Sequence, residues 1–319
     1  MTSNASHESV VVVTDGTPAA LRGVRYAALE AKRLGVGLEV LHVIPGYLPI
    51  GPLPMIPDGA FQHHGRSLLL HSVITARNMA EGVHVVSRLV SGSRVHSIVE
   101  AASNAPLLVL GSRARTLAER VWTGATIAGV CARAQCPVVV VPEEWPDRET
   151  DAMSKVTVGF KSPHHAVELL ESAFTLARSR GAELMVLHAW KLPSVYDDIV
   201  TSRVEATQWK VEQRAVIETV LAQIQPSYPE VKVSIEVVHD RPAHALTEAS
   251  RDSDRLFIMR PVHGGYLHHL GSTARALLRE AHCPVEVIPP AATSGETATS
   301  RREHDALDTQ RVMPSMEPS

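Results

Sequence analysis

The residues of this chain that could carry chemistry lie where apolar segments give way to turns. Asp15 follows the valine run Val10–Val13, and a carboxylate at the end of such a strand can accept a hydrogen bond from an adenine amino group or a ribose hydroxyl. The same residue could instead form an Asx-turn within the run Asp-Gly-Thr-Pro. Residue type and position leave ligand binding and turn formation both open.

A second candidate is the arginine-bearing loop between Gly111 and Gly124. Glycine lets the backbone approach a phosphate closely, and Arg113 and Arg115 could neutralise its charge by forked hydrogen bonds. The run Gly-Ala-Thr from Gly124 is predicted to begin a helix, whose first N–H groups can face an anion. An ordinary strand-to-helix loop with solvated arginines is the alternative that the residues by themselves allow.

Other reactive residue types lack the spacing of a catalytic or metal site. Six of the 17 histidines stand in three adjacent pairs, which point in different directions on a helix or strand, and no Cys-x2-Cys or His-x3-His set supports zinc. Cys136 and Cys283 each precede a proline and are interpreted as small buried side chains rather than redox thiols. We therefore predict no catalytic residue, and no metal other than Mg²⁺ accompanying a nucleotide.

The elements that would position these residues occur twice in the sequence. Four pairs of landmarks recur at an offset of 146 or 147 residues: Gly35 with Gly181, His42 with His188, Gly124 with Gly271, and Cys136 with Cys283. A near-constant offset across the chain indicates a tandem duplication.

Each half alternates strands with helices. Thr17-Pro18 and Ser162-Pro163 are predicted to cap a long amphipathic helix that stops at Gly35 or Gly181. The remaining predicted elements are helices over 65–79, 94–103, 201–224 and 243–250, and strands over 83–90, 107–110, 138–141, 231–238, 256–259 and 285–288. The alternation predicts an α/β fold: two tandem open parallel-sheet, Rossmann-like domains with helices on both faces.

The composition of the chain and of its segments indicates the domain limits, the excluded partners and the compartment. We place one domain at residues 1–145, a second at 154–290 with a polar linker between them, and a disordered tail at 291–319. A net charge of −3 without a long basic run argues against nucleic-acid and membrane-surface partners. No apolar signal region, no membrane-length apolar run and only three cysteines predict a cytoplasmic protein.

Several of these features together resemble the universal stress protein family. They are Asp15, the strand ending Leu41-His42-Val43, the spacing from Gly111 to Gly124, and the closing Cys136-Pro137-Val138. The resemblance covers both halves, over Val10–Pro142 and Lys155–Pro289. It implies an ATP-binding sensor or regulator of stress responses rather than a dedicated enzyme. It also implies that the last strands of the two halves pair, which makes the chain an internal pseudo-dimer and leaves further homodimerisation open.

The resemblance also implies which residues bind. ATP-binding members carry Gly-x2-Gly-x9-Gly-Ser/Thr, in which Gly111 fills the first position and Gly124 the third. By that pattern Asp15 and Val43 would contact adenine and ribose, and the phosphates would be lined by Gly111, Arg113, Gly124, Ala125 and Thr126. Two positions depart from it. Ala114 adds a methyl group, and Ala125 removes a hydroxyl hydrogen bond worth about 1 kcal/mol.

The second half departs further from the pattern. Lys161 stands near the position of Asp15, and an ammonium cannot accept a hydrogen bond from adenine. Arg260 and His263 occupy the region of the first two glycines, although the Gly-Ser-Thr run from Gly271 is kept. We expect a degenerate site there, or a positively lined anion pocket.

Two alternatives to an ATP-binding regulator stay open. One is a ligand-free interaction protein, for which Ala114, Ala125 and Lys161 are the evidence. The other is an ATP-using enzyme of related α/β fold, against which stands the absence of a GxxxxGK[ST] run. Slow ATP hydrolysis would need a catalytic base, and the sequence offers none that can be named.

Overall fold

The computed structural model describes residues 9–46, 59–112, 117–146, 154–191, 206–261 and 270–290. The strands are β1 Ser9–Val13, β2 Gly37–Pro45, β3 Val85–Gly92, β4 Leu108–Ser112, β5 Val138–Pro142, β6 Lys155–Gly159, β7 Glu183–Trp190, β8 Val233–His239, β9 Arg255–Met259 and β10 Val285–Ile288. The helices are α1 Pro18–Leu34, α2 Ala60–Met79, α3 Arg94–Ala101, α4 Leu117–Arg133, α5 Ala166–Arg180, α6 Ala206–Ile224, α7 Pro242–Ala249 and α8 Ser272–Glu280. The tail predicted to be disordered, 291–319, lies outside the described residues.

All ten strands form one sheet, in the order β3-β2-β1-β4-β5-β10-β9-β6-β7-β8. Pairing is parallel within the first half (β1–β5) and within the second half (β6–β10). Among the described strands, only the central pair is antiparallel: β5 meets β10, with Val140 opposite Val285 and Val138 opposite Val287. The parallel α/β fold is confirmed, and so is the internal pairing of the two halves through their last strands.

Local chemistry explains why α1 begins and ends where it does. The Thr17 hydroxyl accepts a hydrogen bond from the Ala20 N–H at 3.2 Å, and Pro18 takes the first helical position, as predicted. Gly35 ends the helix in the left-handed region, with φ of 69°. Alanines along the inner face let this helix lie close to the sheet.

The predicted start of α5 is wrong. The helix begins at Ala166, not at Pro163, and His165 stands before it in the left-handed region with φ of 56°. A short turn replaces the cap, because the Ala166 N–H donates to the Pro163 carbonyl at 3.1 Å. The end of the helix at Gly181, with φ of 65°, is confirmed.

Apolar side chains fill both faces of the sheet. On the face carrying α4 and α8, one continuous cluster contains Leu108 and Leu110 of the first half together with Leu256 and Ile258 of the second. On the other face each half has its own cluster, under α1 and α2 or under α5 and α6. The two halves therefore share a core on one face and meet through other contacts on the opposite face.

Candidate functional site

Strand register brings three of the predicted site residues to one edge of the sheet. Val13 of β1 lies opposite Leu41 of β2, so Asp15, two residues beyond the end of β1, comes level with Val43 near the carboxyl end of β2. Gly111 occupies the carboxyl end of the neighbouring strand β4. Ligands of open α/β sheets bind beyond this edge, so the structure assembles the part of the candidate site that these residues form.

Asp15 is exposed at this edge, and its side chain accepts hydrogen bonds from the turn that follows it. Its Oδ1 accepts hydrogen bonds from the Thr17 N–H at 3.0 Å and from the Thr17 hydroxyl at 2.6 Å. Gly16, between them, takes a positive φ of 79°. The Asx-turn alternative is therefore realised, and both of these hydrogen bonds fall on one carboxylate oxygen.

Val43 can meet a ligand only through its main chain. Its side chain is buried in the core shared by the two halves, and its backbone pairs with Val90 of β3. An adenine contact of the kind that the family pattern implies would have to be made by its main chain.

Gly111 has a packing role that the sequence did not reveal. A Cβ at Gly111 would lie 2.0 Å from the carbonyl oxygen of Ala19 in α1, and a Cβ at Gly23 would lie 3.0 Å from the Gly111 nitrogen. The two glycines thus let α1 lie directly on the end of β4. The need for glycine here follows from helix–strand packing, with or without a phosphate.

The predicted start of a helix at Gly124 is wrong. Helix α4 begins at Leu117, and Gly124, Ala125 and Thr126 lie inside it. N–H groups at that depth bond to carbonyls four residues earlier, so they are not the unpaired donors of a helix N-terminus. Arg113 and Ala114 lie outside the described residues.

The repeated histidines hold strand ends together in both halves. His42 bonds through Nδ1 to the Thr14 carbonyl at 2.7 Å, and His188 bonds through Nδ1 to the Phe160 carbonyl at 3.0 Å. A carbonyl can only accept, so Nδ1 carries the proton in each ring. Burial lowers the pKa of His188, with the hydrogen bond to Phe160 acting against that shift. These are structural roles.

At the carboxyl edge of the sheet, the second half carries residues that differ from those of the first half. Lys161 is exposed at the position equivalent to Asp15. Leu108 pairs with Val138 and Leu256 pairs with Val285, so Leu108 and Leu256 are equivalent positions. Three residues further along each strand, Gly111 therefore corresponds to Met259 and not to Arg260.

Arg260 instead contacts the other half. Its guanidinium donates to the Ala134 carbonyl, which follows the last residue of α4. The equivalent residue of the first half, Ser112, donates to the Leu278 carbonyl in α8 at 3.3 Å. The two halves thus exchange contacts to helix C-termini, and Arg260 is engaged there rather than at an anion pocket.

The thiols are unsuited to redox or nucleophilic chemistry. Burial raises the pKa of Cys131 and of Cys283 to about 12, and that of Cys136 to about 11. Protonated, buried thiols are poor nucleophiles, which agrees with their predicted packing role. Within the described ranges, no three His, Cys, Asp or Glu side chains are grouped so as to hold a metal ion. None of the described helices is long and apolar enough to cross a membrane.

The fold and its duplicated strand order define a tandem, doubly wound α/β protein. The model of the universal stress protein family matches the chain twice, over residues 7–142 and 153–289. The chain belongs to the universal stress protein family and carries two copies of its domain, which confirms the resemblance read from the sequence.

Similar proteins match this chain over nearly their whole length. A universal stress protein of Mycobacterium tuberculosis is 27% identical over 313 residues, covering 90% of this chain and 96% of its own. Another from the same organism is 28% identical over 302 residues, covering 90% and 98%. The crystal structure of a universal stress protein from Archaeoglobus fulgidus superposes with a TM-score of 0.66 at 18% identity, covering 90% of this chain and all of that one, so it shares the fold. All three are named as universal stress proteins.

Proposed function

We propose that the first half of this chain binds ATP at its carboxyl edge, and that the protein acts as a cytoplasmic sensor or regulator in a stress response. In this proposal Asp15 and Val43 face adenine and ribose. Gly111, Arg113, Gly124, Ala125 and Thr126 lie along the phosphates. The domain limits of 1–145 and 154–290 belong to the same proposal. Its main support is the common edge at which register places Asp15, Val43 and Gly111.

The chemistry of that edge suits the adenosine end of the ligand best. An exposed carboxylate stands beyond β1, next to the main chain of β2. Carboxylate and main-chain groups together can recognise the hydroxyl and amino donors of an adenosine. Phosphate binding would draw on the loop from residue 113 and on the first turns of α4.

A ligand-free interaction protein is the second candidate, and one observation favours it. Helix α4 begins seven residues before Gly124, which leaves Ala125 and Thr126 inside the helix rather than at its N-terminus. A phosphate bound there would require these first turns to unwind.

Calorimetric titration of ATP into the full chain and into Asp15→Asn tests the proposal. Asparagine keeps a side-chain oxygen for the Thr17 N–H, so the turn should survive, while an amide donor replaces the second acceptor. We expect affinity to fall by about tenfold or more, which corresponds to about 1.4 kcal/mol.

Lys161→Ala, at the equivalent position of the second half, is the matched control and should bind as the wild type does. Absence of heat at millimolar ATP, together with no nucleotide in the purified protein, would reject ATP binding and favour the interaction protein. Equal affinity of Asp15→Asn and the wild type would reject the role given to Asp15.

A further inference from the structure

On the face where the halves have separate apolar clusters, they meet through buried charges. Glu30 of α1 pairs through Oε1 with Arg255 at 3.0 Å and with Arg180 at 3.1 Å, and through Oε2 with Arg33 at 2.9 Å. Arg255 also donates to Glu286 Oε2 at 2.9 Å. We call these five residues the interdomain cluster. Glu30 and Arg33 belong to the first half, and the other three belong to the second.

The cluster lies almost completely out of water. Side-chain exposure is 1% for Glu30 and 2% for Arg255. An ion left unpaired at such depth is strongly destabilising, whereas a well-packed apolar set in the same place can be equally stable. Stability alone therefore does not account for charges at this position, and specificity of pairing is the alternative explanation.

Because the chain is duplicated, each position of the interdomain cluster has an equivalent position in the other half, and the residues there are uncharged. Structural landmarks shared by the two halves fix which positions are equivalent. Gly35 and Gly181 each end a helix, and the N–H groups of Leu108 and Leu256 donate to the carbonyls of Pro137 and Pro284, respectively. Glu30 corresponds to Leu176, Arg33 to Ser179, Arg180 to Leu34, Arg255 to Leu107 and Glu286 to Val139. The equivalent patch on the other side of the pseudo-twofold axis is thus apolar except for one serine. Arg33 Nη1 and Ser179 Oγ, which correspond to each other, are 3.5 Å apart, so the axis passes between them.

Only one combination of halves satisfies these charges. Two first halves from different copies would set each Glu30 against Leu34, Leu107 and Val139 of the other copy. Two second halves would set Arg180 and Arg255 against Leu176. Glu30 keeps Arg33 of its own helix in any pairing, but only a second half facing it adds Arg180 and Arg255.

We propose that the interdomain cluster determines the pairing of the halves: it directs a first half to a second half and excludes pairing between like halves of two copies. The partner of the first half is the second half of the same chain. The β5–β10 ladder already joins them, and the covalent link keeps their effective concentration high. The inference does not depend on whether the protein binds a nucleotide.

Charge reversal in the full chain tests the proposal. Glu30→Arg sets four arginines together, and Arg255→Glu sets three carboxylates together, so each single variant should show a lowered melting temperature. The double variant on one chain restores an opposite pair at the same place. We expect it to recover most of the lost melting temperature and the mass of one chain, 34.5 kDa.

Co-expression of the two single variants with different tags tests pairing choice directly. If the two chains exchanged halves, each interface would hold an opposite pair. Glu30 of one chain would face Arg255 of the other, and the arginine introduced at position 30 would face the glutamate introduced at position 255. We expect a complex of one chain of each variant, at twice the 34.5 kDa of one chain, enriched about tenfold over complexes of like chains.

The control is reversal of the exposed pair Arg214 and Glu218 in α6, which should leave mass and melting temperature unchanged. Three results would each overturn the proposal. They are single variants that melt as the wild type does, a double variant no better than the worse single variant, and no mixed complex beyond that seen for like chains.

Discussion

Replacing Glu30 with glutamine removes one negative charge from the centre of the interdomain cluster and keeps the shape of the side chain. Three arginines contact this carboxylate, and Arg255 also contacts a second carboxylate, Glu286. At pH 7 the variant should lose about 3–5 kcal/mol of unfolding free energy, the usual cost of breaking a buried ion pair.

The dependence on pH follows from the ionisation of Glu30. Burial by itself would raise the pKa of Glu30, but Arg255 and Arg33 outweigh it and lower the pKa from 4.5 to about 2. The folded pKa lies below the unfolded one, so this stability is present above pH 4.5 and is lost as the pH falls through 2. The difference in pKa is equivalent to about 3 kcal/mol, of which about 2 kcal/mol is gone by pH 3.

Glu286 responds in the opposite direction and cannot imitate this loss. Burial raises its pKa, with Arg255 opposing and the charge of Glu30 adding to the rise. Its contribution to stability is therefore present below the unfolded pKa and is lost as the pH rises through the folded pKa. Of these two carboxylates, Glu30 is therefore the one whose protonation costs stability between pH 4.5 and pH 2.

Urea unfolding followed by tryptophan fluorescence, from pH 7 to pH 3, measures both quantities. The gap between the wild type and Glu30→Gln should shrink by about 2 kcal/mol over this range, because only the wild type has Glu30 to protonate. Glu218→Gln, at a residue whose side chain is 54% exposed, is the control and should stay within about 0.5 kcal/mol of the wild type. A gap that is constant with pH, or a variant as stable as the wild type at pH 7, would refute the reasoning.

Three further predictions concern stability without nucleotide. Gly111→Ala should cost about 1–3 kcal/mol of unfolding free energy, because its Cβ would meet an α1 carbonyl at 2.0 Å, whereas Gly271→Ala, whose nearest neighbour is 3.5 Å away, should cost a few tenths. Burial lowers the pKa of His188, so its contribution is present above pH 6.5 and is lost as the pH falls through the folded value; His188→Gln should remove this loss in thermal unfolding across that range. Ser112→Ala should cost about 1 kcal/mol in urea unfolding, and a value near zero would show that its contact with α8 is unimportant.

Much of the fold could be predicted because its signals are local or periodic. The cap at Thr17, the stops at Gly35 and Gly181, and the alternation of strands with helices each depend on residues a few positions apart. The constant offset between the halves added the duplication, and the family resemblance implied that the last strands of the two halves pair. The start of α5 was missed, because a turn at Pro163 competed with the expected cap.

The sequence by itself determined the family, the two halves and the edge where Asp15 and Val43 meet, because strand alternation and parallel register follow from patterns within each half. Only the tertiary structure decided what Gly111, Arg260 and Glu30 do. Gly111 is a glycine because α1 lies on it, and Arg260 reaches the end of a helix in the other half. Glu30 is buried against arginines 150 and 225 positions away. Contacts across such separations leave no periodic pattern in the chain, so they exist only once the two halves have packed.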